Sequence, residues 1–102
     1  MRLKRITLSA QTTHGVYRVK ASVIDIVPWA KTCVHRTLIH YSNGFMVGDT
    51  WTVSDIYTGF AISKDEFTRA GAIAEAKRIL TKNGLRGYRK AVVKYKDMRV
   101  TP

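Results

Sequence analysis

The sequence predicts an α+β protein in which an antiparallel sheet of about five strands packs against one helix. Three observations lead to this fold class: alternating segments near the N-terminus, turn residues between them, and one amphipathic stretch after residue 67. The chain has 102 residues, of which 45% are hydrophobic, and this length and composition suit a single domain over 1–102.

The first half of the chain alternates between apolar and polar residues, as half-buried strands do. Strands are predicted over 4–10 and 16–26, and the turn signal TTHG between them predicts a hairpin. A third strand is predicted over 34–41. The turn signal SNG follows it, and a short strand is expected over 45–47, ending near Gly48.

The stretch WTVSDIYTGFAI, at 51–62, predicts two further short strands around a turn at 57–59. Its larger apolar residues are expected to pack against the helix that follows: Trp51, Phe60 and Ile62. Three other residues are expected to remain exposed: Thr52, Ser54 and Tyr57.

A helix is predicted over 68–83, with Thr68 as its N-cap and Asn83-Gly84 as its C-terminal stop. At about 100° per residue, its apolar residues fall on an arc of about 120° that can face a sheet. These residues are Ala72, Ile73, Ala76, Ile79 and Leu80. Apolar and cationic residues then alternate, which predicts a basic C-terminal strand over about 89–96.

The charge is strongly unbalanced, with 18 Lys and Arg against 7 Asp and Glu, a formal net charge of +11. Such a charge attracts anionic partners: nucleic acid, an acidic protein surface or an anionic membrane. A basic protein without a basic function is also consistent with it. No apolar run reaches the roughly 18 residues of a membrane span, and no apolar signal-peptide core is present. With one cysteine and no disulfide framework, a cytoplasmic location without membrane contact is expected.

The cations concentrate towards the C-terminus, where 9 of the 18 follow residue 76. Cations neutralise phosphates and aromatic rings stack on unpaired bases, so the mixture predicts a surface for nucleic acid or an acidic partner. Its residues are Arg78, Lys82, Arg86, Tyr88, Arg89, Lys90, Lys94, Tyr95 and Lys96. The same pattern is also typical of a solvated edge strand, on which lysines oppose aggregation.

Two smaller sets complete the candidate surfaces. A secondary basic patch is predicted on the first hairpin, where Arg5, Arg18 and Lys20 share a face if the strand register allows it. An ordinary solvated face is the alternative. Exposed aromatic residues are candidate anchors for a protein partner: Trp29, Phe45 and Tyr57.

Catalytic and metal-binding patterns are weak. Cys33 and His35 are expected to share a strand face while His40 points away, and zinc requires four suitable ligands. No nucleophile elbow, phosphate-binding loop or spaced carboxylate pair is present in the sequence. The sequence therefore predicts no enzyme, no catalytic residue, no metal, no cofactor and no small-molecule substrate.

One region resembles known proteins. The residues are Trp51-x-Val53-x-Asp55-x-x-Thr58-Gly59-x-Ala61, Phe67-Thr68 and Ala72-Ile73-x-x-Ala76-Lys77. This pattern resembles that of small uncharacterised accessory proteins of phages and other mobile elements. It is also similar to the sheet-plus-helix module of some phage integrases, whose sheet enters a DNA groove. The resemblance covers about residues 51–80 and implies a helix packed behind a hairpin.

Two functions are consistent with these features, and a small hydrolase, which would need an active site that the sequence does not reveal, comes third. The first is a non-enzymatic protein, encoded by a phage or mobile element, that binds DNA or RNA through the C-terminal basic surface. The second is a phage-type inhibitor that binds the acidic surface of a host nucleic-acid-processing or defence complex, such as a nuclease or CRISPR machinery. In either case the expected location is the cytoplasm of the host cell.

Overall fold

Five antiparallel strands and one long helix make up the computed structural model, which describes residues 4–12, 15–42 and 44–98. The elements are β1 (Arg5–Thr12), β2 (Gly15–Ile24), β3 (Thr32–Tyr41), β4 (Gly44–Asp55), β5 (Ala61–Glu66) and α1 (Arg69–Met98). The strands follow the chain order in the sheet, each antiparallel to the next. The predicted α+β fold class is confirmed. Within the described residues, no helix is both long and apolar enough to span a membrane.

β4 corrects the prediction of a short strand over 45–47 and a separate one after residue 50. The two form one strand, Gly44–Asp55. Gly48 does not end a strand; it makes room for its neighbour on β3, because a Cβ atom at Gly48 would lie 2.6 Å from Ile39 Cδ1. The glycine therefore serves a cross-strand contact within the hairpin.

Different sets of residues pack on the two faces of the sheet. On the first, here called the inner face, side chains of β1, β2 and β3 form one cluster: Leu8, Ala10, Val19, Ala21 and Cys33. On the second, the helix face, strand residues pack with the helix: Ile24, Val34, Val53, Ala72 and Ala76. Trp51 and Ile62 pack against this second cluster, as the sequence predicts. β2 and β3 thus bury residues on both faces, which explains why their alternation is incomplete.

The sheet curls so that its first strand meets the turn between β4 and β5. The Gln11 amide donates a hydrogen bond of 2.8 Å to the Gly59 carbonyl. Gly59 has a φ of 77°, and a Cβ atom there would lie 2.2 Å from the Ser9 carbonyl oxygen. Only glycine satisfies both constraints, so residue 59 permits the closure of the inner face.

Helix α1 begins as predicted. Thr68 is the N-cap, because its Oγ1 accepts a hydrogen bond of 2.9 Å from the Gly71 amide. Ala72 and Ala76 are fully buried against the sheet. Ser63 Oγ donates to the Ala72 carbonyl at 2.8 Å, which ties β5 to the first turns of the helix. Small side chains at these positions let the helix lie close to the strands.

The predicted C-terminal strand over 89–96 is wrong, because this segment is helical. Gly84 has non-helical angles (φ 70°, ψ 178°) and divides α1 into an N-terminal segment, 69–83, and a C-terminal segment, 85–98. The predicted stop at residues 83–84 therefore ends only the first segment. Inward-facing residues at helical spacing explain the outcome: Tyr88, Ala91, Val92 and Tyr95 follow the i, i+3, i+4, i+7 pattern.

Replacement of Gly59 tests the closure of the sheet. We expect Gly59→Ala to lower the free energy of unfolding by about 3 kcal/mol more than Gly44→Ala. Both sites have positive φ, but a Cβ atom at Gly44 meets nothing within 4 Å, so that variant carries the backbone cost alone. Urea denaturation of the two variants measures the difference. Equal losses of stability would show that contact with Ser9 does not constrain residue 59.

Candidate functional site

Asp55, the last residue of β4, connects three parts of the fold. Its carboxylate is buried, with 4% of the residue exposed. Oδ2 accepts hydrogen bonds of 2.9 Å from both the amide and the hydroxyl of Thr58, which fix the β4–β5 turn. Oδ1 accepts a hydrogen bond from the Tyr88 hydroxyl of α1. A buried carboxylate requires such donors to offset its lost hydration.

Tyr88 and Tyr95 attach the C-terminal segment of α1 to the body of the protein. The Tyr88 ring lies 5.6 Å from the Trp29 ring, and Tyr95 lies 4.7 Å from Phe60, measured between centroids. Ala91 lines a cavity of about 70 Å³ together with Tyr88, Tyr95 and Phe60. The packed face of the segment is therefore aromatic, and aromatic contacts of this kind stabilise by about 1 kcal/mol each beyond their burial.

The cations of the C-terminal segment lie on its other side. At about 100° per residue, they span an arc of about 160° centred opposite Tyr88 and Tyr95. All are exposed, and we call them the basic ridge: Arg86, Arg89, Lys90, Lys94 and Lys96. Lys94 Nζ also lies 5.7 Å from the Tyr95 ring centroid, a distance suited to a cation–π contact.

Acidic neighbours do not interrupt the basic ridge. No Asp or Glu occurs between residues 76 and 96. Arg78 differs from the ridge residues because its Nε donates to Glu75 Oε2 at 3.0 Å. This hydrogen bond and the arginine charge lower the pKa of Glu75, so the pair is ionised and mutually neutralised at neutral pH. Arg78, predicted as part of the binding surface, thus adds little net charge to it, whereas Lys82 is exposed.

The stacking surface predicted for Tyr88 and Tyr95 is not formed. That prediction required a strand, on which the two rings would alternate with cations. In the helix, both rings lie on the packed face, and the Tyr88 hydroxyl is bound to Asp55. The candidate site therefore consists of cations without exposed stacking rings.

The secondary basic patch has the register that the sequence required. Thr7 pairs with Lys20, and Ser9 pairs with Arg18, so Arg5, Arg18 and Lys20 share one face of the β1–β2 hairpin. All three cations are exposed. This is the helix face of the sheet, but it lies on the strands away from β4 and β5, on which α1 mainly packs.

The three candidate aromatic anchors occupy different environments. Trp29 is partly buried against Tyr88, and Phe45 packs between Tyr17 and His40, with centroid distances of 4.7 and 5.2 Å. Tyr57 is 54% exposed. Sequence reasoning missed three exposed apolar residues on one face at the end of the β3–β4 hairpin: Ile39, Tyr41 and Met46. Val47 is also exposed, but as the register partner of Leu38 it lies on the other face.

β3 corrects one prediction, the direction of His40, and places Cys33 in the core. His40 was expected to point away from His35, but both line the inner face. The register shifts between Arg36 and Leu38, and this irregularity reverses the alternation of the strand. Burial and the charge of Asp55 raise the pKa of the Cys33 thiol to about 12, so Cys33 is a protonated core residue at neutral pH.

Tyr88→Phe tests the connection to Asp55. Burial, the hydrogen bond to Asp55 and the Asp55 charge raise the pKa of Tyr88 above its usual value. The neutral phenol therefore stabilises the fold below about pH 10, and this contribution is lost as the pH rises further. We expect the variant to lose about 2 kcal/mol of unfolding free energy at neutral pH and to show a weaker alkaline decline.

Urea denaturation across the alkaline range measures both effects. Tyr41→Phe, at an exposed ring, is the matched control and should leave the stability and its alkaline decline unchanged. An alkaline decline of the same size in Tyr88→Phe and the parent chain would contradict the assignment.

Comparison with known proteins does not assign a family or a function to this chain. No protein-family model matches the chain. No curated protein and no solved structure gives a significant match either. The function must therefore be inferred from the surface itself: a helix segment fixed by Tyr88 and Tyr95, with its cations directed to solvent.

Proposed function

We propose that this protein binds nucleic acid without catalysing a reaction, and that the basic ridge is its principal contact surface. The observation that carries the proposal is the separation of the two sides of the C-terminal segment. One side packs against the body of the protein, and the other presents five exposed cations with no acidic residue among them. Clustered Lys and Arg on one side of a helix are the electrostatic footprint of nucleic-acid-binding proteins.

The rigidity of the segment supports the proposal. Tyr88, Tyr95 and Asp55 hold the backbone that carries the ridge, so the cations are presented from a fixed element. From Arg86 to Lys96 the ridge extends about 15 Å, given a rise of 1.5 Å per residue, and this length can contact several phosphates. The net charge of +11 adds long-range attraction for a polyanion.

The ridge predicts binding by charge rather than by base sequence. Phosphate contacts position a protein on nucleic acid but carry no sequence information. Because the tyrosine rings are packed, no stacking platform is assigned to the ridge. We therefore propose binding that depends steeply on salt and weakly on sequence. The expected setting is the cytoplasm, where a phage or mobile-element protein would meet host nucleic acid.

Fluorescence anisotropy tests this proposal with labelled single-stranded DNA, duplex DNA and duplex RNA. Over roughly 50 to 300 mM salt, affinity should fall by orders of magnitude on the preferred probe. Replacing Arg86, Arg89 and Lys90 by Gln should weaken binding and reduce the magnitude of the logarithmic salt slope by about 3.

A second triple variant serves as a control of equal charge change. Replacing Arg5, Arg18 and Lys20 by Gln also removes three positive charges, but from the secondary basic patch. We expect this control to retain most of the affinity. Equal losses in both triple variants would show that net charge, not the ridge, determines binding. Weak binding of the parent chain to all three probes would reject the proposal.

One observation favours a second function, the inhibitor of a host nucleic-acid-processing or defence complex. At the end of the β3–β4 hairpin, Ile39 and Met46 are cross-strand neighbours and are 46% and 51% exposed. Among the described residues, β2 pairs with β3 only over Thr32–Val34. The end of the hairpin is therefore not paired with β2 by backbone hydrogen bonds, although Phe45 contacts Tyr17 on the inner face. Exposed apolar residues in this arrangement suit a protein contact, and the ridge would then face an acidic partner surface.

A pull-down from host lysate at physiological salt tests this second function. An inhibitor should retain one host protein, and replacing Ile39 and Met46 by Ser should abolish retention without unfolding the chain. The matched control replaces Val93, an exposed apolar residue of α1, by Ser and should keep the partner. Retention of no protein by the parent chain, or equal retention by both variants, would contradict the inhibitor hypothesis.

A further inference from the structure

The inner face of the sheet forms one side of a cavity of about 750 Å³ that is open to solvent. Its lining comes from the end of β1, the middle of β3, the facing part of β4, and residues 59–64. Ligand sites for small molecules occupy clefts of about 300 to 1,000 Å³, so this cavity has a suitable size. The cavity is open to solvent, so a ligand could enter it as it enters a surface cleft.

The floor of the cavity is polar although it is buried. Four side chains on two neighbouring strands form it: His35, Thr37, Thr52 and Ser54, which are at most 9% exposed. His35 and Thr52 are register partners, so the set is contiguous across the sheet. The adjoining inner-face positions on β1 and β2 hold Leu8 and Val19. Apolar residues are the usual choice for such positions, so this polar floor requires its own explanation.

The floor side chains are held in place by one another. Nδ1 of His35 donates to the Arg36 carbonyl at 2.7 Å, which fixes the tautomer. Nε2 therefore accepts a hydrogen bond of 2.8 Å from the Ser54 hydroxyl. Burial lowers the pKa of His35, so the ring is neutral at neutral pH. A polar arrangement that is already ordered costs less to present to a ligand than a mobile one.

Within the described part of the chain, this floor has one hydrogen-bond donor to offer a ligand. The hydroxyls of Thr37 and Thr52 lie 2.8 Å apart and share one hydrogen bond. Each hydroxyl carries one proton, so the pair keeps a second proton that this bond does not use. Both residues line the cavity, and a ligand acceptor placed there would bind that proton.

The residues at the walls and rim of the cavity indicate which shape and charge of ligand would fit. Phe45 and Phe60 line the cavity, and each supplies an aromatic ring. Lys64 lies at the exposed margin on β5. Among the described residues that line the cavity, none is Asp or Glu. Aromatic walls favour a planar ring, and an unopposed ammonium favours an anionic group.

We propose that this cavity binds a small planar aromatic anion. The ring contacts the phenylalanine walls, the anionic group pairs with Lys64, and a polar ring substituent accepts the hydrogen bond left by Thr37 and Thr52. The polar floor lies on the inner face, and the cavity shares the Phe60 wall with the packing of Tyr95. None of the basic-ridge cations lines the cavity, so the proposal does not depend on nucleic-acid binding.

The test uses 6-hydroxy-2-naphthoate as the probe, titrated into the ¹⁵N-labelled full chain and followed by two-dimensional NMR. For a ligand of this size we expect a Kd below about 1 mM, with amide shifts concentrated at Thr37, Thr52, Ser54 and Lys64. The carboxamide analogue of the probe lacks the charge and should bind several-fold more weakly. Cyclohexanecarboxylate keeps the charge but lacks the ring and should also bind more weakly.

Variants distinguish binding in the cavity from non-specific binding of the anion elsewhere on the protein. Lys64→Gln should weaken the naphthoate about 5-fold. Lys90→Gln removes the same charge from the basic ridge and should leave its affinity unchanged. The double variant Thr37→Val with Thr52→Val removes both partners of one hydrogen bond, a change that is nearly neutral for folding, and should weaken binding.

The variant spectra report directly whether each chain is folded. Absence of shifts at the cavity amides would overturn the proposal. Shifts confined to another surface, or equal effects of Lys64→Gln and Lys90→Gln, would do the same.

Discussion

The buried carboxylate of Asp55 is the constraint on which the rest of the structure depends. It fixes the turn after β4 through Thr58, and that turn presents Gly59 to the first strand. The same carboxylate holds Tyr88, and through it the C-terminal segment of the helix. One side chain therefore links the closure of the inner face to the orientation of the basic ridge. Loss of a donor at a buried carboxylate costs more than loss of an ordinary hydrogen bond, so Thr58 and Tyr88 both contribute strongly to stability.

The C-terminal segment combines two opposing electrostatic demands. Concentrated positive charge destabilises a compact state through self-repulsion, which is strongest where the cations are close together. Here the cations diverge from a helix whose other side is fixed by aromatic contacts at Trp29 and Phe60. Packing thus stabilises a segment that its own charges oppose. A polyanion bound along the ridge would relieve the repulsion, so binding and folding would stabilise each other.

Local patterns predicted much of the fold. Thr68 and Asn83-Gly84 marked helix boundaries because capping depends on neighbouring residues alone. The prediction for the C-terminal segment failed because residues 88–96 fit both the two-residue period of a strand and the period of a helix. Only contact with Trp29 and Phe60 selects the helix. Of the candidate site, the exposed cations could be predicted, but the packed tyrosines could not. Thr52 and Ser54, expected at the surface, are buried because the sheet curls, and curvature brings together strands that are distant in sequence.

The interruption at Gly84 has a consequence for how this protein can vary. In an uninterrupted helix, inserting one residue rotates everything after it by about 100°, which would turn the basic ridge into the sheet. Here the helix is interrupted, and a new helical segment begins at residue 85. The contacts of Tyr88 and Tyr95 with Trp29 and Phe60 determine which side of this segment faces the body of the protein. A change among the exposed residues before Gly84 therefore does not by itself redirect the cations. The break means that the two segments are positioned by separate contacts: residues 69–83 by the sheet, and residues 85–98 by Asp55, Trp29 and Phe60.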